Sequence, residues 1–274
     1  MAPANHPPPT IDPPMIDPPM IDLQMIDLPS PNQGPRAEGV TPSILLLHYT
    51  GMPTAAAALE RLCDPVAKVS SHYVVDEDGT LYRLVDEDRR AHHAGVSFWA
   101  GASDINSASI GVEIVNPGHE HGYRPFPDAQ IATVTALARG VVARWGILPE
   151  RVLAHSDVAP DRKQDPGELF PWDRLAAAGV GHWVEPAAIT PGLAFKRGDE
   201  GQPVAALQAM LAHYGYGLPL TGVFDQRTEE VVTAFQRHFR PERVDGVADR
   251  STLVTLKRLS DGVAVAATGG GKRA

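Results

Sequence analysis

Four consecutive aliphatic residues, Ile44-Leu45-Leu46-Leu47, constrain this chain most. A run with no polar face is a strand covered on both sides, and a sheet covered on both faces needs helices in both layers. The order of the other elements agrees. Thr54 to Asp64 reads as a helix. His72-Tyr73-Val74-Val75 and Leu81 to Val85, joined through Asp78-Gly79, read as a hairpin. Ser109 to Val115 alternates Ile110, Val112 and Ile114 against Gly111 and Glu113, as a strand does. Asp128 to Trp145 is helical, with Ile131, Val134, Ala138, Val141 and Trp145 on one face. Val152-Leu153-Ala154 is a short strand, and a last helix spans about Pro171 to Ala178. This pattern predicts an α/β domain over 41–184, with functional groups at strand ends.

Three residues at such ends carry chemistry. His48 closes the apolar run, and His155 follows Val152-Leu153-Ala154 and opens a loop that contains Asp157, Asp161 and Asp165. His48, His155 and Asp165 would form an open zinc site, three protein ligands with a fourth position for water. Asp157 and Asp161 are near enough in sequence that the same loop can present either instead. Such a site predicts metal-assisted hydrolysis. Cys63 is the sole cysteine, so no intrachain disulfide forms, and its alanine-rich helical setting marks a small packing residue.

The flanking regions differ in composition. Residues 1–40 hold eleven of the 26 prolines and a repeat, Ile11-Asp12-Pro13-Pro14-Met15, that recurs from Ile16, Ile21 and Ile26. Proline at this density forbids helix and central strand, so a disordered or extended leader is expected. A break over 185–192 reads as a linker to a compact three-helix module over 193–260, followed by a flexible tail over 261–274. The module repeats itself at an offset of 24 residues: Gly222-Val223-Phe224-Asp225 and Thr228 match Gly246-Val247-Ala248-Asp249 and Thr252. Each aspartate is placed to cap a helix. His6, His119, His121, His182, His213 and His238 fall in no pattern and read as surface residues.

A net charge of −9 argues against nucleic acid as a partner. No apolar run approaches the ~18 residues of a membrane span, and no secretory signal is visible at the N-terminus.

Several motifs together resemble a known family. Leu47-His48-Tyr49-Thr50, Ser71-His72-Tyr73, Ala91-His92-His93-Ala94-Gly95, Ser109 to Ile114, and His155 to Gly167 through Trp172 occur in the order seen in type 2 N-acetylmuramoyl-L-alanine amidases. These share a fold with peptidoglycan recognition proteins. The resemblance implies a mixed central sheet flanked by helices. It implies cleavage of the amide between the lactyl group of N-acetylmuramic acid and L-alanine of the stem peptide, using one Zn2+ per chain. The match at Asp165-Pro166-Gly167 selects Asp165, with His48 and His155, as the ligand set. Glu113 is implied as general base and Lys163 as the oxyanion stabiliser. His93 and Asn106 are expected along the substrate groove, with Tyr73 behind the metal. The module resembles small peptidoglycan-binding domains, through Leu193 to Asp199, Leu207-Gln208 and Ala234-Phe235-Gln236.

Peptidoglycan or its muropeptides are the implied partners. A non-catalytic recognition protein is the rival class, and loss of a zinc ligand would mark it. A polymer-tethering module favours action at the cell envelope over cytoplasmic recycling of fragments. It also predicts that removing 186–274 spares cleavage of small muropeptides.

Overall fold

The computed structural model describes residues 24–269, with side chains to residue 262. The repeat copies at 11–22 and His6 lie outside the described residues, as does the end of the tail. The strands are β1 (Met25–Asp27), β2 (Gln33–Pro35), β3 (Ile44–Tyr49), β4 (Tyr73–Val75), β5 (Leu81–Arg83), β6 (Arg89–Ala91), β7 (Ser109–Ile114), β8 (Val152–Ala154), β9 (Ala194–Phe195) and β10 (Ala248–Asp249). The helices are α1 (Ala55–Cys63), α2 (Ile105–Ala108), α3 (Gly118–His121), α4 (Asp128–Trp145), α5 (His155–Val158), α6 (Trp172–Ala177), α7 (Gln202–Tyr214), α8 (Gln226–Phe239) and α9 (Arg250–Gly269).

A six-stranded mixed sheet in the order β1-β5-β4-β7-β3-β8 forms the centre. β3 runs parallel to both β7 and β8, and β4 pairs parallel with β7 and antiparallel with β5. The aliphatic run of β3 splits between two layers, as the side-chain alternation of a strand requires. Leu45 and Leu47 join Ile110, Val112 and Ile114 against Ile131, Val134, Ala138 and Val141 of α4. Ile44 and Leu46 face the other way, into a cluster that also holds Trp99, Ile105, Leu153 and Val158.

Local signals hold the helices as expected. Thr54 caps α1 by accepting the Ala57 amide, and α4 ends at Gly146, whose φ of 63° is the left-handed conformation that glycine adopts at no steric cost. In the module, Asp225 accepts the amide of Thr228 and Asp249 that of Thr252, both at 2.8–2.9 Å. The internal repeat extends to two buried glutamines. Gln208 accepts the Gly222 amide and donates to Val223 and Thr228, while Gln236 accepts the Gly246 amide and donates to Val247 and Thr252.

Two expectations fail at the flanks. Residues 24–40 are not a detached leader: β1 adds to the sheet edge beside β5, and β2 pairs with β6. Ser30 is buried and donates to the Leu62 carbonyl, and the Arg36 guanidinium donates to the carbonyls of Ser107, Ser109 and Glu87. Proline bars a central strand but is tolerated at an edge, where the missing N–H faces no partner. At the other end α9 runs on to Gly269, beyond the boundary at 260.

The module is also not a pendant one. Its Val204, Leu211, Tyr216, Phe235 and Phe239 belong to the same buried cluster as Ile44, Leu46 and Val158. The backbone at 187 is tied to α9, with Ala187 N–H donating to Thr255 Oγ1 at 3.0 Å. Gly215, at a φ of 139°, lets the chain pass over Trp99: a Cβ there would lie 2.5 Å from the indole.

Candidate metal centre

The parallel strands deliver their groups to one end. His48 is the fifth residue of β3 and pairs in register with Glu113 on β7, while His155 begins α5 directly after β8. His48 and Glu113 lie on the sheet face opposite α4, because Leu47 and Val112 beside them point into the α4 layer. These groups line a pocket of about 560 Å³ together with His93, Lys163 and Asp165.

Three donor atoms converge there. His48 Nδ1 lies 2.9 Å from His155 Nδ1 and 3.1 Å from Asp165 Oδ2, and His155 Nδ1 lies 2.9 Å from that same oxygen. All three residues are buried. The outer ring nitrogens assign the tautomers. His155 Nε2 donates to the Ala94 carbonyl at 3.0 Å, so that in the neutral ring Nδ1 is the nitrogen available to a cation. His48 Nε2 faces His93 Nδ1 at 3.0 Å, and donation in that direction frees the second Nδ1. Two Nδ1 atoms and a carboxylate oxygen pointed at one spot hold together only around a shared proton or a cation. Burial, helped by His155 and opposed by Asp165, lowers the His48 pKa to about 4, and the imidazole is therefore neutral and ready to ligate. Burial alone would raise Asp165, yet His155 and His48 hold it far below the carboxylate range. The group fits a divalent cation.

Glu113 is the second signature. Its Oε2 is buried without a hydrogen-bond partner, which is costly unless a substrate or water fills the position. Burial pushes its pKa well above the ordinary glutamate value, Asp165 adds to the rise, and Lys163 opposes it. A carboxylate so placed is poised to accept a proton. Lys163 lines the same pocket on the loop that carries Asp165.

The other expected site residues separate. His93 lines the pocket and backs His48. It packs on Gly111 so closely that a Cβ there would meet its ring at 2.6 Å. Asn106 does not reach the groove: it is buried, and its Oδ1 accepts the amides of His93 and Ala94, shaping the loop that carries both. Tyr73 lies in the α4 layer instead of behind the metal, and its hydroxyl donates to Glu87 Oε1 at 2.7 Å. Odd positions of β4 face α4, so this strand cannot present Tyr73 to the site.

Structure also adds residues. Tyr49 and His119 line the pocket, the Tyr49 hydroxyl 3.0 Å from His119 Nδ1, and His119 Nε2 lies 3.2 Å from Glu168. Tyr49 follows His48 in one of the motifs shared with the family, whereas His119, expected at the surface, stands in a helix of four residues with no periodic signal. His238, expected at the surface, is buried against Asp157. Asp161 is exposed and faces Arg227 at 3.5 Å, so it is no rival to Asp165.

A convergent His-His-Asp group that could hold a metal ion, beside a glutamate with a buried, partnerless carboxylate oxygen at the ends of parallel strands, has the make-up of a hydrolase centre. The comparisons with known proteins name the family. Residues 38–168 match the family model of N-acetylmuramoyl-L-alanine amidase, and residues 200–256 match a peptidoglycan binding domain. N-acetylmuramoyl-L-alanine amidase AmiD of Escherichia coli (strain K12) is 38% identical over 228 residues, which are 79% of this chain and 81% of that protein. The structure of AmiD from E. coli in complex with the substrate anhydro-N-acetylmuramic acid-L-Ala-D-gamma-Glu-L-Lys superposes with a TM-score of 0.69 at 36% identity, covering 83% of this chain and 92% of that one. AmpDh3 from Pseudomonas aeruginosa, in complex with anhydromuramic pentapeptide, gives a TM-score of 0.70 at 32% identity and covers 83% and 95%. The chain belongs to the N-acetylmuramoyl-L-alanine amidase family and is an amide hydrolase. Among the described residues no helix is long and apolar enough to cross a membrane.

Proposed function

We propose that the chain binds one zinc ion through His48, His155 and Asp165 and hydrolyses the amide between the lactyl group of N-acetylmuramic acid and L-alanine, in peptidoglycan and its muropeptides. The observation that carries this reading is the convergence of two imidazole Nδ1 atoms and the Asp165 oxygen beside the partnerless Glu113 Oε2. Zinc when bound supplies Lewis acidity, polarising the amide carbonyl and making a water acidic enough to attack near neutral pH. Glu113 accepts the proton of the attacking water and passes it to the departing amine of L-alanine. Its raised proton affinity suits both halves of that transfer. Lys163 places positive charge against the developing oxyanion. His93 holds His48 in the ligating tautomer, and the 560 Å³ pocket gives room for a muropeptide. The peptidoglycan binding domain supports the polymer at the cell envelope as a substrate, since attachment to an insoluble chain raises the local concentration of scissile bonds.

The test is incubation with purified peptidoglycan and with a soluble muropeptide, with and without chelator, read by mass spectrometry. Stem peptide beginning at L-alanine is expected, lost on chelation and restored by zinc. Binding of either substrate without cleavage would overturn the proposal.

A further inference from the structure

α5 is four residues long, too short to hold its own shape, yet it carries the ligand His155. What holds it is Asp157. This carboxylate is fully buried, and it accepts the Ala154 amide at 2.8 Å, closing the turn at the residue before His155. Its other two partners come from the C-terminal module. The Tyr216 hydroxyl donates to Oδ1 at 2.6 Å, and the His238 Nδ1–H donates to Oδ2 at 2.7 Å. His238 is itself fixed, stacked at 3.7 Å on Trp172 on one side and on Phe239 on the other. The same turn also reaches the third ligand, because the Ser156 amide donates to the Asp165 carbonyl at 3.1 Å. Further along the loop, Arg237 donates to Gln164 and Arg227 faces Asp161. The module therefore grips both ends of the segment that supplies two ligands.

We propose that Tyr216 and His238 are positioning residues of the metal centre: by saturating Asp157 they fix the turn that aims His155 and Asp165, so the module completes the catalytic domain as well as binding wall. The proposal rests on the zinc reading above. A buried carboxylate with only the Ala154 amide left to it would draw in water or shift the turn, and either movement displaces His155 Nδ1 from its partners. Groups that orient ligands through intervening bonds commonly change metal affinity by about 10–100-fold when removed.

The experiment uses the full chain with Tyr216→Phe, His238→Phe and the double substitution, which keep the aromatic packing and delete only the two donors. Zinc affinity is measured by competition with a chromogenic chelator, kcat and KM on a soluble muropeptide, and sedimentation with insoluble peptidoglycan. The expected result is a zinc Kd raised about 10-fold or more in the double variant, with kcat lowered and KM and wall sedimentation unchanged. Asp157→Asn placed on that background removes the unpaired charge and should recover zinc affinity. If the double variant fails to fold, the Tyr216→Phe chain carries the same comparison with one donor lost. Unchanged zinc affinity and kcat, with only a lower Tm, would reduce Tyr216 and His238 to packing residues and overturn the proposal. A wild-type chain that takes up no zinc would instead sink the metal reading beneath it.

Discussion

Asp157 and Asp165 sit eight residues apart in one segment, both buried and both facing imidazoles, yet they are opposite in character. Around Asp157 every neighbour brings a proton: a tyrosine hydroxyl, an imidazole N–H and a backbone amide. Around Asp165 the neighbours are two Nδ1 atoms whose rings have other partners for their far nitrogens, His93 and the Ala94 carbonyl, and no hydroxyl or backbone amide donates to the carboxylate. The first group is complete as protein, and the second has the donor set of a cation site. Burial and residue type do not separate a structural aspartate from a ligand. The direction in which the partners carry their protons does.

The comparison breaks most directly by removing each carboxylate. Asp165→Ala should abolish zinc uptake and turnover together, whereas Asp157→Ala should still take up zinc, more weakly; equal stoichiometric uptake by both, measured by metal analysis, would erase the distinction. Next in size, Glu113→Gln should keep zinc and lose about 10²–10⁴-fold in kcat, and a variant with appreciable turnover would remove Glu113 as the base.

The sign reverses for stability in the absence of metal. Asp157→Ala strands three buried donors at about 1–3 kcal/mol each, while Asp165→Ala loses only the contacts with the two imidazoles and should cost less. Thermal denaturation in chelator tests the order, and a larger loss for Asp165→Ala would contradict it. Zinc at 100 times its Kd should then stabilise the wild-type chain by about 2.7 kcal/mol, an increment that Asp165→Ala lacks.

The smallest effect is one of pH. As the proposed base Glu113 would work ionised, and burial raises its pKa, so kcat/KM should rise with pH through an acid limb above the ordinary glutamate range. A limb at the usual carboxylate pH would mean that the bound site is wetter than the cluster around Glu113 implies.

Much of this was legible in the chain. The aliphatic run required the doubly covered strand, alternation in β7 put Glu113 opposite the apolar face, and the paired aspartates Asp225 and Asp249 cap their helices as placed. His48 and His155 were readable as residues at strand ends. Asn106 and Tyr73 were misplaced because a motif gives order along the chain but not which way a side chain turns. The separable module was misread for a related reason. A linker-like composition at 185–192 says nothing of the apolar surface on either side. Removing 186–274 would expose the cluster shared by Ile44, Val158 and Phe235, so a truncated chain cannot serve as a clean test of catalysis.

The sequence by itself determined what depends on near neighbours: the strand and helix periods, the caps, the turns and the donor types available at the ends of β3 and β8. Tertiary structure decided which aspartate faces the two imidazoles, which is saturated by donors, and that the second domain packs on the first. Those outcomes rest on contacts such as His238 with Asp157, 81 residues apart, and Asp165 with His48, 117 residues apart. No local pattern encodes them, because the free energy of a buried carboxylate is set by whichever groups the fold brings to it.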